Sequence, residues 1–267
     1  MAFQEKSRPS APWHAKGVTF FAFLLLYVPL AILILESFLS IGSGLLGEHS
    51  TRSWTLEWYQ KVFSNHEVLQ ALKMSLLVAV FSTLVSIMIG TLAALALERT
   101  KFKGIKILDG LTYVPLIMPE IVLGLSLLIW FVFLRLTLGA LSMILAHVTF
   151  SVSFVVLTVR ARLQGFDRTL EEAARDLGAT PLQTFLKVTF PLIWPGILSG
   201  GLMAFTLSFD DFLITFFTTG VGTDTLPLKI YSMIKFGVSP EIHALSTIML
   251  FVTFLLVMLF FYKTVES

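Results

Sequence analysis

Six long apolar runs decide what this chain can fold into. They fall at about 18–38, 74–97, 111–134, 137–159, 192–219 and 243–262. About 20 predominantly apolar residues cross the ~30 Å hydrocarbon core as a helix, and in lipid every backbone polar group must be bonded within the protein. The runs therefore predict an all-α polytopic membrane protein with six transmembrane helices. The first run is too long for a signal-peptide core and no A-x-A site follows it, so it reads as a span. The reading divides the chain into an N-terminal tail (1–17), a six-helix domain (18–262) containing a polar loop at 160–191, and a short tail (263–267).

Charge orients these spans. With the N-terminus inside, the internal segments hold 13 Lys and Arg, spread over Lys6–Lys16, Arg99–Lys106, Arg160–Lys187 and Lys263. The external segments hold 6: Arg52, Lys61, Lys73, Arg135, Lys229 and Lys235. The positive-inside bias predicts that both termini and the 160–191 loop are cytoplasmic. Net charge is only +2, which leaves no footprint for nucleic acid. The chain has no cysteine, so disulfides, thiol catalysis and cysteine-based metal sites are excluded. His66–Glu67 lacks a second histidine four residues after the first, and His147 and His243 stand alone, so no metalloenzyme pattern forms.

Two external segments carry pattern. The sequence WTLEWYQKVF places Trp54, Trp58 and Tyr59 as candidates for a membrane-interface belt. In the last external loop, Leu228, Tyr231, Ile234 and Lys235 recur at helical spacing and predict a short amphipathic helix.

The polar loop reads as two short helices with a break. Thr169 followed by Glu172 has capping-box spacing, and Leu163, Phe166, Leu170, Ala173, Ala174 and Leu177 fall on one apolar stripe. Gly178 stops the first helix in a left-handed conformation. Thr180, Pro181 and Gln183 start the second, and Pro191 and Pro195 mark entry into the fifth span. A surface helix pair that merely joins two spans would account for this pattern. The small pair Ala173–Ala174 on an exposed face argues further for close approach of another protein.

Intramembrane acids are costly and are functional candidates by default. Glu120 lies about nine residues into the third span between Pro115 and Pro119, where a kink that exposes backbone carbonyls is expected. Asp210 and Asp211 lie in FTLSFDDFLITFF in the outer part of the fifth span. On a continuous helix adjacent residues diverge by about 100°, so only one of the pair would face a given pathway. Glu36, near the outer end of the first span, reads as interfacial. Two readings stand for these acids: buried hydrogen bonds or pairing with Arg135 or Lys235, or an acid-lined path for a cationic solute. No basic residue lies inside spans three or five, which disfavours an anionic solute.

Glu172-Ala173-Ala174, three residues, Gly178, nine residues, then Val188-Thr189-Phe190-Pro191 resembles the EAA loop of ABC importer permeases, with Val188 and Phe190 replacing the usual Ile and Leu. The resemblance implies the type I importer permease fold and a coupling helix, carried by Glu172, Ala173, Ala174, Gly178 and Pro191, that docks in a cleft of an ATPase subunit. The stretches GFDRTLEEAARDLGAT, LSFDDFLITFFTTG and LPLKIYSMIKFGVSPEIHAL are similar to the smaller permease of bacterial spermidine/putrescine importers. That family implies a multi-pass protein of the bacterial inner membrane, a second homologous permease, an ATPase dimer, an external binding protein and a polyamine substrate. The chain has no G-x-x-x-x-G-K-[ST] loop, so ATP and Mg²⁺ would be bound by the partner ATPase and this chain would hold no cofactor and catalyse nothing. Glu120, Asp210 and Asp211 would line the substrate path. Tyr231 and Trp130 would add cation–π contacts, although lone aromatics also serve as packing or interface residues.

Other readings are weaker. GVGTD at Gly220–Asp224 has one residue too many for an intramembrane aspartyl protease motif and lies in a loop. A channel has no use for the EAA-like element. Permeases for iron(III), thiamine or phosphonate share that element and are the competing assignments.

Overall fold

The computed structural model describes residues 13–41, 52–101, 103–165, 167–237 and 240–265. The long helices are α1 (Trp13–Glu36), α3 (His66–Arg99), α6 (Ala140–Gln164), α9 (Phe190–Asp210) and α12 (Pro240–Val265). Between them lie α2 (Glu57–Ser64), α4 (Ile105–Ile117), α5 (Glu120–Phe133), α7 (Thr169–Asp176), α8 (Pro181–Thr184), a π-helical turn (Phe185–Thr189), α10 (Leu213–Thr218) and α11 (Leu226–Phe236).

The span count differs from the six apolar runs. Among the described residues four helical stretches are long and apolar enough to cross a membrane: Lys16–Glu36, His66–Arg99, Ala140–Gln164 and Pro181–Asp210. The third run is broken into α4 and α5, which meet at 111° and give a fifth span if taken together. Met118 before Pro119 is extended (φ −68°, ψ 136°), as a residue before proline is driven to be, and Pro119 has no N–H to continue α4. The expected kink is thus a sharp turn. α12 contributes a shorter apolar stretch, Pro240–Leu255.

The chain is not wholly helical. β1 (Leu39–Ile41) and β2 (Arg52–Trp54) pair antiparallel, Leu39 opposite Trp54 and Ile41 opposite Arg52. The Thr55 amide donates to the Phe38 carbonyl at 2.8 Å and extends the ladder. This pair returns the chain from α1 to α2, where Trp58 Nε1 donates to the Leu39 carbonyl at 3.0 Å and Tyr59 Oη lies 2.7 Å from Ser37 Oγ. Trp58 and Tyr59 also pack on a core of Val62, Val68, Ala71 and Leu226. Both are half-buried, whereas Trp54 is exposed. Glu36, at the end of α1, lies 3.7 Å from His243 Nε2.

α3, α6 and α9 form the centre. Lipid offers no hydrophobic drive for helices to associate, so close approach at small residues holds them. α3 turns Ala79, Ser82, Ser86, Gly90 and Ala94 inward. A Cβ at Gly90 would stand 2.7 Å from the Val155 Cβ on α6, so the side chain is excluded by contact. Val155, Val159, Ile193, Ile197 and Ala204 complete this core. At the opposite end from α7, the expected amphipathic helix is α11, with Leu226 and Leu228 buried and Tyr231 and Ile234 exposed.

Candidate functional site

α9 ends at Asp210, and Asp211 leaves it in an extended conformation (φ −66°, ψ 130°) before α10 starts. The chain also turns at Met118–Pro119, just before Glu120. The two breaks face one cavity of 380 Å³, whose wall includes Glu120, Asp210 and Asp211. The three acids singled out in the sequence therefore share one space. Because Asp211 is outside the helix, the 100° divergence does not apply, and both aspartates reach the same cavity.

Their environments differ. Asp211 is nearly buried, its side chain 6% exposed. One carboxylate oxygen accepts from the Thr215 amide at 2.7 Å and the Thr215 hydroxyl at 2.9 Å, and the other accepts from the Ile214 amide at 3.4 Å. Asp211 thus caps α10, satisfying amides that a helix start leaves orphaned. Oδ2 also lies 3.4 Å from Nε2 of the fully buried His147. Asp210 is exposed and, among the described residues, accepts from the Thr253 hydroxyl on α12, at 3.2 and 3.4 Å. Glu120 is exposed in the first turn of α5, where a carboxylate is favoured by the helix dipole. The described partners of the aspartates are His147, Thr215, Ile214 and Thr253, not Arg135 or Lys235.

The aromatic candidates separate. The Tyr231 ring lies 4.8 Å from that of Phe212, which lines the cavity, and so stands at its rim. Trp130 is exposed, stacked on Phe133 at 5.8 Å, and about 15 Å along α5 from Glu120 at 1.5 Å per residue. It is not part of the cavity wall.

The polar loop forms a second site at the end of the bundle that holds the C-termini of α3 and α6. α6 runs to Gln164, so Leu163 is buried in its last turn and does not belong to the stripe of α7. Phe166 lies outside the described residues. The expected box between Thr169 and Glu172 does not form. Asp167 accepts from the Thr169 amide at 3.0 Å and takes the capping role, which holds its own carboxyl below the usual carboxylate range. Gly178 has φ +87°; its amide donates to the Arg175 carbonyl at 2.9 Å and the Ala179 amide to the Ala174 carbonyl at 3.0 Å. Those two bonds make the Schellman termination that needs a left-handed residue. The second capping pair forms as spaced: the Gln183 amide donates to Thr180 Oγ1 at 3.3 Å and the Thr180 amide to Gln183 Oε1 at 2.9 Å.

Glu172 and Ala173 are exposed and Ala174 is half-buried. Leu177 is 90% and Leu182 67% exposed, so the pair of short helices leaves apolar surface uncovered at this end. Glu171, not singled out by the motif, anchors the element: it pairs with Arg99 at the end of α3 and accepts from the Thr189 hydroxyl. Thr189 closes the π-helical turn. Pro191, immediately beyond, lacks the N–H that the Lys187 carbonyl would take in a regular helix, and the Phe190 amide instead reaches back five residues to the Phe185 carbonyl. Among the described residues no group of three or more metal-ligating side chains occurs.

Sequence reasoning missed His147, Thr215, Ser208 and Glu171. A lone histidine makes no pattern, although a polar residue seven positions into an apolar helix was itself a signal.

Residues 86–267 match the family described as binding-protein-dependent transport system inner membrane component. The chain is 43% identical over 232 residues to the spermidine/putrescine transport system permease protein PotC of Escherichia coli K12, covering 87% of this chain and 86% of that one. It is 39% identical over 247 residues to the putrescine transport system permease protein PotI of the same strain, covering 90% and 86%. Its fold matches a bacterial ABC transporter involved in the import of the acidic polysaccharide alginate, with a TM-score of 0.70 at 16% identity over 95% of both chains. An amino acid ABC transporter matches with a TM-score of 0.61 at 18% identity, over 80% of this chain and 100% of the other. With a type I importer permease fold, an EAA-type loop and these relatives, the chain belongs to the family of inner-membrane permease components of binding-protein-dependent ABC transport systems.

Proposed function

We propose that this chain forms half of the translocation path of an ATP-driven polyamine importer. The observation that carries the reading is the convergence of Glu120, Asp210 and Asp211 on one cavity between two helix breaks. A polycation crossing hydrocarbon needs carboxylates that attract it moderately at successive points, since a single deep trap would not release it. The names of the relatives support this choice of substrate.

The rest of the assembly follows from the same reading. Both termini and the α7–α8 element face the cytoplasm of a bacterial inner membrane, which the chain crosses six times, with α4 and α5 together as one crossing and α12 as the last. A second homologous permease supplies the other half of the path and covers α1, whose membrane-spanning window is 0% buried. An ATPase dimer binds the exposed Glu172–Leu182 surface and holds ATP and Mg²⁺. A binding protein delivers spermidine or putrescine from outside.

The test is ATPase activity of the reconstituted four-component complex in liposomes with a panel of loaded binding proteins. Stimulation by spermidine- or putrescine-loaded protein is expected. Stimulation instead by an iron(III), thiamine or phosphonate carrier would replace the polyamine assignment.

A further inference from the structure

α4 is loosely held. It runs from the end of the bundle that carries the C-termini of α3 and α6 to the acidic cavity, a length of about 20 Å at 1.5 Å per residue. None of its residues is buried within the chain. Pro115 and Leu116 in its last turn, and Met118 just beyond, form part of the cavity wall. At Met118–Pro119 the helical path stops, because Met118 is extended and Pro119 has no N–H to give. α4 can therefore turn about this point without bending α5, as hinge elements do.

One charged side chain ties α4 down. Arg160 on α6 has a side chain only 14% exposed and meets carboxylates from two other helices. Its Nη1 donates to Asp109 Oδ1 on α4, and its Nε lies 3.5 Å from Glu98 Oε2 on α3. Among the described residues no other ion pair reaches α4. A single buried pair would be hard to open, since it would leave a desolvated guanidinium alone. Here Glu98 stays beside Arg160 when Asp109 leaves, because α3 and α6 are packed together at Gly90 and Val155. Asp109 itself is 39% exposed and is hydrated as it departs. The second carboxylate makes the pair releasable.

We propose, on the reading of this cavity as the substrate path, that α4 is a hinged inner flap latched by Asp109 on Arg160. The latch is closed in one state of the transport cycle and open in the other. Closed, α4 covers the flank between the cavity and the cytoplasmic end of the bundle. Open, it turns about Met118–Pro119 and exposes Leu116 to water from that end. Arg160 remains with Glu98 throughout and receives Asp109 when the flap returns.

The test places a cysteine at Leu116 in the full complex, otherwise free of cysteine, and follows its labelling by a membrane-impermeant thiol reagent added to the cytoplasmic face of inside-out vesicles. Rates are compared without nucleotide and with Mg·ATP and vanadate. With the latch intact, the two states are expected to differ by about tenfold. Asp109→Asn is expected to give the faster rate in both states, and the charge exchange Asp109→Arg/Arg160→Asp to restore the difference. Equal rates in the two states of the complex with the native pair overturn the proposal, and that comparison stands even if a latch variant fails to assemble. A difference that survives Asp109→Asn, or that the charge exchange does not restore, would leave the ion pair a purely structural contact and also overturn it. So would a difference seen only with reagent added to the external face. No polyamine is needed, so failure of the substrate assignment would leave this outcome standing.

Discussion

The Glu171 carboxylate accepts the Thr189 hydroxyl, and this bond joins α7 to the π-helical turn at the start of α9. Arg99 on α3 pairs with the same carboxylate and donates to Thr189 Oγ1 at 3.3 Å. Movement of α7 therefore reaches two helices of the central bundle through one carboxylate. α9 then runs 21 residues to Asp210, about 30 Å at 1.5 Å per residue. Glu171→Gln removes the charge that holds Arg99, and Thr189→Val removes the hydroxyl without changing its size. Each loss is about 1–3 kcal/mol for a hydrogen bond to a charged group. Both variants are expected to insert normally and to hydrolyse ATP with fewer polyamines moved per ATP. Stoichiometry in proteoliposomes checks this; a wild-type ratio in both would show that the bond carries no motion.

Gly178 tests the coupling element from its backbone. Nothing in this chain stands within 4 Å of a Cβ built there, so within the chain a larger residue meets no clash and acts through φ +87°. Left-handed conformation costs a Cβ-bearing residue roughly 1–2 kcal/mol. Gly178→Val is expected to abolish transport while the chain remains in the membrane fraction, and Gly178→Asn to be milder because asparagine tolerates this region. Glu172→Lys is expected to do the same, since it reverses a charge in the first turn of α7, where negative charge is favoured. Cysteines at Ala173 or Ala174 are expected to crosslink to the ATPase subunit; no crosslink from either position would remove the docking assignment.

The local parts of this fold were legible in the residues. Thr180 and Gln183 are three apart and form the cap their spacing predicts, and Gly178 takes the conformation its position requires. Where two local signals competed, the pattern misled: Asp167, two residues before Thr169, presents a carboxylate to the helix start and displaces the box with Glu172. Pro115 and Pro119 signalled a break, but not a 111° turn, because the angle is set by what α5 packs against. His147 and Ser208 are 61 positions apart, and no periodicity links residues that meet only when α6 and α9 pack. Glu171 and Thr189 escaped for the same reason, despite lying 18 apart.

α1 bears on assembly. Its apolar surface is exposed throughout, from Val18 at 71% to Leu35 at 51%, and Asp210 and Glu120 open outward from the cavity. An acid facing lipid costs ~2.5–3.5 kcal/mol on the insertion scale. The chain is expected to accumulate only when the homologous permease is co-expressed, measured as membrane-fraction protein with and without that partner. A homodimer that transports polyamine unaided would refute the expectation.

The three cavity acids separate by substitution because their surroundings differ. Asp210→Asn and Glu120→Gln keep shape and remove charge from groups that hold little of the fold: Asp210 touches Thr253, and Glu120 stands exposed at the start of α5. Each is expected to insert and assemble normally and to lower polyamine uptake by about tenfold or more, the equivalent of ~1–3 kcal/mol. Asp211→Asn differs, since Asp211 caps α10 and faces His147. A cap weakened there costs about 0.5–2 kcal/mol, so this variant is expected to lose thermal stability as well as uptake. The measurements are uptake in proteoliposomes at saturating loaded binding protein and the melting temperature of the purified complex. The binding protein's own polyamine affinity should not change, since none of the three acids belongs to it. Wild-type uptake in all three variants would make these acids structural, and the choice of a polyamine would then rest on the relatives alone.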